Sequence, residues 1–198
     1  YTPTTENYPL SLHDALPIFD AVFGMHNWPG LEVGKFAVRT GAMMASLDCF
    51  DIVIEGTGTH GALPHKGVDP VVAAAQVVTA LQSIVSRNID PLSVGIVSVT
   101  QIHAGDAYNI IPGRVDLAGG VRSFDPEVRY RLLQRVEDVA VSVAAAFKAR
   151  AQINWGIRFP AVMNHADQTV LAAGAAAYVA GAENVATDSQ PSLGSEDF

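Results

Sequence analysis

The chain has 198 residues, 49% of them hydrophobic, enough to bury a core in one large domain or two small ones without disulfide support. Its formal net charge of -8 excludes the basic face a nucleic-acid partner needs, and no run of about twenty apolar residues marks a membrane span. Cys49 is the only cysteine, which excludes an internal disulfide and leads us to expect a cytoplasmic setting.

Residues 1 to 18, "YTPTTENYPLSLHDALPI", hold three prolines and no sustained period, and read as irregular chain. Ala21 to Gly24 is a short apolar run that predicts a buried strand, with His26 just past its end and a turn at Trp28-Pro29-Gly30. "CFDIVIEG", from Cys49, alternates Phe50, Ile52 and Ile54 against Asp51, Val53 and Glu55, which predicts a half-buried strand. Cys49 itself is expected to be a small buried apolar residue.

Asp69-Pro70 predicts a helix start, with aspartate as N-cap and proline in the first turn. Val71, Ala74, Ala75, Val78, Leu81, Ile84 and Val85 recur on one predicted face, and Arg87 closes the last turn. "LSVGIVSVTQIHAG" is rich in β-branched residues and predicts a strand, a loop at Gly105 to Asn109 follows, and "GRVDLAGGVRS" predicts a third strand. Asp125-Pro126 repeats the helix-start chemistry, with Val128, Leu132, Val136, Val139, Val143 and Phe147 on the apolar side. "AQINWGI" predicts a fourth strand, and "TVLAAGAAAYVAGAENV" a helix in a separate body.

Residues 49 to about 157 therefore spell β-α-β-β-α-β, the split βαβ, ferredoxin-like arrangement. The crossover rule led us to expect strands one and three as parallel neighbours in mid-sheet. On that topology the loop after strand one, "EGTGTHGALPH", carries His60 to the same edge as Arg122 at the end of strand three. A guanidinium is a natural fork for a carboxylate, and an imidazole can donate to a developing oxyanion. A histidine in a glycine-rich loop is by itself more often plain loop, and a strand-end arginine more often a surface ion-pair partner, so the residues alone leave the functional reading open.

The segments "FGMHNWPGLEVGKFAVRTGAMMAS", "GTGTHGALPHKGVDPV", "AYNIIPGRVDLAGGVRSFDPEVR" and "GSEDF" resemble the M20 metallopeptidases, nearest to the amidohydrolases that cleave N-acyl amino acids such as hippurate. The resemblance spans about residues 19 to 198. It implies an α/β fold with an α+β, ferredoxin-like lid inserted in a zinc-peptidase-like catalytic domain. The expected division is an unmatched segment at 1–18, catalytic-domain pieces at 19–46 and 159–198, and the lid at 47–158.

The resemblance further implies that His26 is a metal ligand and that His60 reaches the scissile carbonyl, often in a neighbouring subunit. Asn109 and Arg122 would hold the substrate, Arg122 by its carboxylate. Gly58-Thr59 stands where the family more usually has Gly-Gly. His65 stays open between loop and pocket wall, and His103 and His165 have no assigned role. Two divalent ions, zinc or manganese, a small N-acyl amino acid substrate and a homodimer through the lid are implied as cofactors and partners. The family's Cys-x-His pair, aspartate, Glu-Glu pair and final histidine are not in this sequence. The chain is therefore expected to be an internal piece of a longer enzyme, joined near residue 18 to unrelated residues and inactive alone. The alternative is a non-catalytic ferredoxin-like module for dimerisation or small carboxylates. An RNA-binding reading fails because the third strand has no aromatic residue.

Overall fold

The computed structural model describes residues 20 to 196, and the expectation for residues 1 to 18 lies outside them. In chain order the strands are β1 (Phe36–Ala37), β2 (Gly41–Met44), β3 (Leu47–Glu55), β4 (Thr59–His60), β5 (Gly95–Ala104), β6 (Ile110–Ile111), β7 (Arg114–Ser123), β8 (Arg150–Phe159), β9 (Val162–Asn164) and β10 (Val185–Ala186). The α-helices are α1 (Pro70–Asn88), α2 (Pro126–Ala146) and α3 (Ala166–Ala180). None of these helices is long and apolar enough to cross a membrane. The chain divides into two compact units, one formed by 44–162 with 192–195, the other by the described parts of 1–43, 163–191 and 196–198.

The larger unit is an α+β sandwich. Its sheet runs β5-β7-β3-β8, and every neighbouring pair is antiparallel. This is the split βαβ, ferredoxin-like order. The expected parallel pairing of strands one and three is corrected. The strands linked by the α1 crossover, β3 and β5, do run the same way, but β7 returns from β5 through a hairpin. It therefore lies between them and runs against both, with Asp48 opposite Val121 and Glu55 opposite Arg114.

Both helices begin as their sequence dictates. Asp69 accepts from the amides of Val71 and Val72, and Asp125 from those of Glu127 and Val128, with proline in each first turn. Their buried faces keep most of the predicted residues, with Leu132, Val136 and Val139 buried in α2 and Val78, Val85, Val128 and Val143 packed against the core, and shift toward neighbouring alanines. α1 buries Ala73, Ala74, Val77, Leu81 and Ile84 while Val71 is exposed, and α2 buries Ala140 and Ala144 while Phe147 is exposed. Ala73, Ala74, Ala140 and Ala144 join the core cluster, where small side chains allow close packing.

Phe50, Ile52 and Ile54 of β3 meet Val115, Leu117 and Val121 of β7 beneath the helices. Each large side chain buried there contributes about 1.5–3 kcal/mol. Asp48 breaks this apolar row. It is fully buried, accepts two bonds from Arg129 at 2.7 and 2.8 Å, and a third from Arg158 at 3.1 Å. Donating these bonds to the Asp48 carboxylate raises the Arg129 pKa above its ordinary value. Arg158 also stacks on Trp155, 5.2 Å from its ring centre. Cys49, expected in the core, is half-buried on the opposite, open face of the sheet.

In the smaller unit β1 pairs in parallel with β10, and β2 lies beside β9. The predicted strand at Ala21 to Gly24 is absent: these residues form no strand, and Phe23 is exposed. No described strand runs beside them to pair with. The turn at Trp28 does form, closed by the Leu31 amide on the Trp28 carbonyl, with Gly30 at φ 91°.

Candidate functional site

Beyond Glu55 the chain leaves the sheet but stays tied to it. The Gly56 amide donates to the Gly113 carbonyl at 2.9 Å, and Thr57 and Val68 exchange both backbone bonds. A Cβ at Gly56 would lie 2.2 Å from the Val68 carbonyl oxygen, so this glycine serves close backbone approach. β4 then pairs with β6, placing Thr59 opposite Ile111 and His60 opposite Ile110.

The Gly61 amide donates to the Asn109 carbonyl at 2.8 Å, so the loop expected to turn the chain at 105–109 sits directly against the histidine. His60 and Asn109 are brought together on one exposed two-stranded ribbon. The Ala62 amide donates to His60 Nδ1 at 3.1 Å. Nδ1 is therefore the acceptor nitrogen, and the neutral ring carries its proton on Nε2, ready to donate. His65 lies in a short 3-10 turn beyond β4 and is exposed.

Arg122 stands elsewhere. It is near the end of β7, opposite Ile96 of β5. The antiparallel register puts it at the end of the sheet where β3 begins, while His60 follows the end where β3 finishes. The seven residue steps from Asp48 to Glu55 span about 23 Å at roughly 3.3 Å per residue. The expectation that His60 and Arg122 share one edge is thereby overturned. Arg122 is half-buried, and its Nη1 donates to the Leu193 carbonyl at 2.8 Å and the Ser195 hydroxyl at 3.5 Å. Residues 192–195 are held in the same unit by a parallel bridge from Ser192 to Met44 and by the Ala45 amide.

In the smaller unit, exposed His26 contacts the carboxylate of Glu196 through Nε2, and Trp28 stands edge-on at 6.5 Å. Imidazole and carboxylate are donors of the kind zinc and manganese take. Among the described residues, however, no group of three or more His, Cys, Asp or Glu could hold a metal ion. The donors fit a divalent ion in kind and fall short in number.

On the open face of the sheet His103 lies opposite Asp116, beside Arg114. The hydrogen bond from Arg114 holds the Asp116 carboxyl below its ordinary pKa, and Asp116 in turn raises Arg114. The sequence reading missed Glu196, Asp48 and the 192–195 segment. The motif "GSEDF" covered Glu196 and the end of the 192–195 segment without assigning either a role, and nothing local flagged Asp48.

A split βαβ sheet, with a short two-stranded ribbon carrying a histidine at one end and an arginine at the other, defines an α+β domain of ferredoxin-like type. Residues 41–148 match the model of the peptidase dimerisation domain of the M20 family, and the chain belongs to that family. It is 42% identical over 179 residues to an N-acetylcysteine deacetylase of Bacillus subtilis, covering 90% of this chain and 46% of that protein. It is 38% identical over 179 residues to a hippurate hydrolase of Campylobacter jejuni, covering 90% of this chain and 47% of the relative. A solved Bacillus subtilis structure, described as a dinuclear metal binding peptidase of the M20 family, superposes with a TM-score of 0.70 at 34% identity, over 94% of this chain and 46% of that one. The chain spans less than half the length of these relatives.

Proposed function

We propose that this chain is the lid-bearing part of a divalent-metal amidohydrolase that hydrolyses the amide bond of N-acyl amino acids, hippurate or related conjugates. The observation that carries the reading is the β4–β6 ribbon, which fixes the exposed imidazole of His60 with Nε2–H as donor. Such a donor suits the oxyanion of a tetrahedral intermediate in acyl transfer. The relatives named for deacetylation and hippurate hydrolysis support the substrate class.

The ions, zinc or manganese, would supply an activated water. His26 would hold one of them, with the remaining ligands outside the described residues. Arg122 would anchor the amino-acid carboxylate. One of its N–H groups is engaged by Leu193, and a guanidinium has five to offer. Asn109 would hold the substrate beside His60.

About 23 Å of sheet separates the ends that carry His60 and Arg122, so both can serve one small substrate only when they come from two copies. The proposed assembly is therefore a homodimer through the lid, in keeping with the family's dimerisation domain. In a polypeptide of the relatives' full length, His60→Ala should lower kcat by at least about a hundredfold with metal content unchanged. A change confined to KM would remove His60 from the chemistry.

A further inference from the structure

We propose that Tyr108 determines acyl-group specificity, its ring packing on the acyl part of an N-acyl amino acid and favouring an aromatic acyl group over a small one. The inference rests on the reading of His60 as the oxyanion donor and adds what the substrate meets beside that donor.

Tyr108 is 113% exposed, the most exposed large apolar side chain among the described residues. Its backbone, by contrast, is held. The Ile110 amide closes a turn on the Ala107 carbonyl at 3.4 Å, and the carbonyl of the next residue, Asn109, accepts from the Gly61 amide at 2.8 Å. A tied backbone under a free ring is a preorganised contact surface, because a tyrosine offers a large, rigid area and loses little rotamer freedom on contact.

The register places Tyr108 beside His60. His60 pairs with Ile110, and Tyr108 lies two residues before Ile110, so it is the diagonal neighbour of the histidine. Diagonal neighbours are about 7–8 Å apart, within reach of an aromatic side chain. Ile110 is itself 50% exposed, so the donor stands among apolar groups rather than charged ones.

Substrate chemistry then selects the part that Tyr108 meets. The carbon that bears the developing oxyanion is bonded directly to the acyl group. The amino-acid side chain and carboxylate lie beyond the amide nitrogen, on the side assigned to Arg122 of the second copy. A residue next to the oxyanion donor therefore reaches the acyl group first, and a ring packed on an aromatic acyl group gains more than burial alone gives.

The test uses a polypeptide of the relatives' full length. It compares kcat/KM on N-benzoylglycine, N-acetylglycine and N-acetylphenylalanine, with the dimer content of each variant measured alongside. Tyr108→Ala should lower kcat/KM about tenfold for N-benzoylglycine and at most about twofold for the two acetyl substrates, with the dimer intact. Tyr108→Phe keeps the ring and should restore most of the preference for the benzoyl group.

An equal loss on all three substrates, with or without loss of the dimer, overturns the inference, since Tyr108 then supports the ribbon or the contact between copies. A loss confined to N-acetylphenylalanine overturns it as well, because the ring then reads the amino-acid side chain. So does no loss on any substrate. His60→Ala in the same assay separates the two levels. A kcat unchanged by His60→Ala removes the reading beneath, and the inference with it. A kcat lost in His60→Ala, with Tyr108→Ala indifferent, removes the inference alone.

Discussion

Arg129→Ala should destabilise the sheet unit by about 3 to 5 kcal/mol, the cost of stranding a buried charge. The figure follows from the geometry at Asp48. Its carboxylate is 0% exposed and holds three N–H bonds, of which Arg129 gives the two shortest. Removing Arg129 leaves the buried charge with one bond, from Arg158, whose side chain is 45% exposed. Arg158→Ala removes the longest bond and should cost less, at most about 1.5 to 3 kcal/mol for one hydrogen bond to a charged group. The double variant Asp48→Ala/Arg129→Ala should be more stable than Arg129→Ala alone, because the stranded charge is gone. Urea unfolding followed by Trp155 fluorescence reads the right unit, since the Trp155 ring stacks with Arg158 and packs on Phe50. An Arg129→Ala cost below about 1 kcal/mol, the range of an exposed pair, would refute the reasoning. So would a double variant no better than the single.

Gly56→Ala should strain the base of the loop that carries His60, since the new methyl would meet the Val68 carbonyl. Hydrogen exchange at the Thr57 and Val68 amides should quicken, and unchanged protection would contradict the close-approach role. Asp116, with its pKa depressed by Arg114, contributes stability that is present above the unfolded carboxylate pKa and lost as pH falls through the folded one. The difference in melting temperature between the wild type and Asp116→Asn should therefore shrink toward acid pH and with added salt, and a constant offset would count against the pair.

Local chemistry carried most of the fold. The Asp-Pro helix starts, the alternation from Phe50 to Ile54 and the β-branched run before Ala104 each act within a few residues, so the sequence exposes them. Strand direction does not act locally. It follows from β7 arriving by hairpin from β5, and the crossover rule concerns β3 and β5, the pair on either side of it. Asp48 was hidden for a related reason. Its partners lie 81 and 110 residues away, and a polar residue at the start of an alternating strand reads as solvent-facing. His26 and Glu196, 170 residues apart, were each visible in a motif, but nothing in the spacing joins them.

The corrected strand direction changes what one copy of the lid can do, and this can be tested without a structure of the assembly. If His60 and Arg122 act on the same substrate, each site must draw them from different copies, because the ends of the sheet that carry them are about 23 Å apart. Consider full-length polypeptides bearing His60→Ala or Arg122→Ala, each nearly inactive alone. In a mixed dimer, one site has both residues lost and the other has both intact. Random exchange of subunits in equal amounts makes half the dimers mixed, so activity should return to about a quarter of the wild-type value if the assembly is a two-fold dimer. Sites complete within one copy predict no recovery. The assay is amide hydrolysis of an N-acyl amino acid after co-refolding or co-expression, with the two parent variants as baselines. A mixture that stays at the baseline, in dimers shown to have exchanged, would mean that His60 and Arg122 do not meet at one substrate across the interface. The arginine would then be left with the role its contacts already describe, holding residues 193 to 195 against the lid.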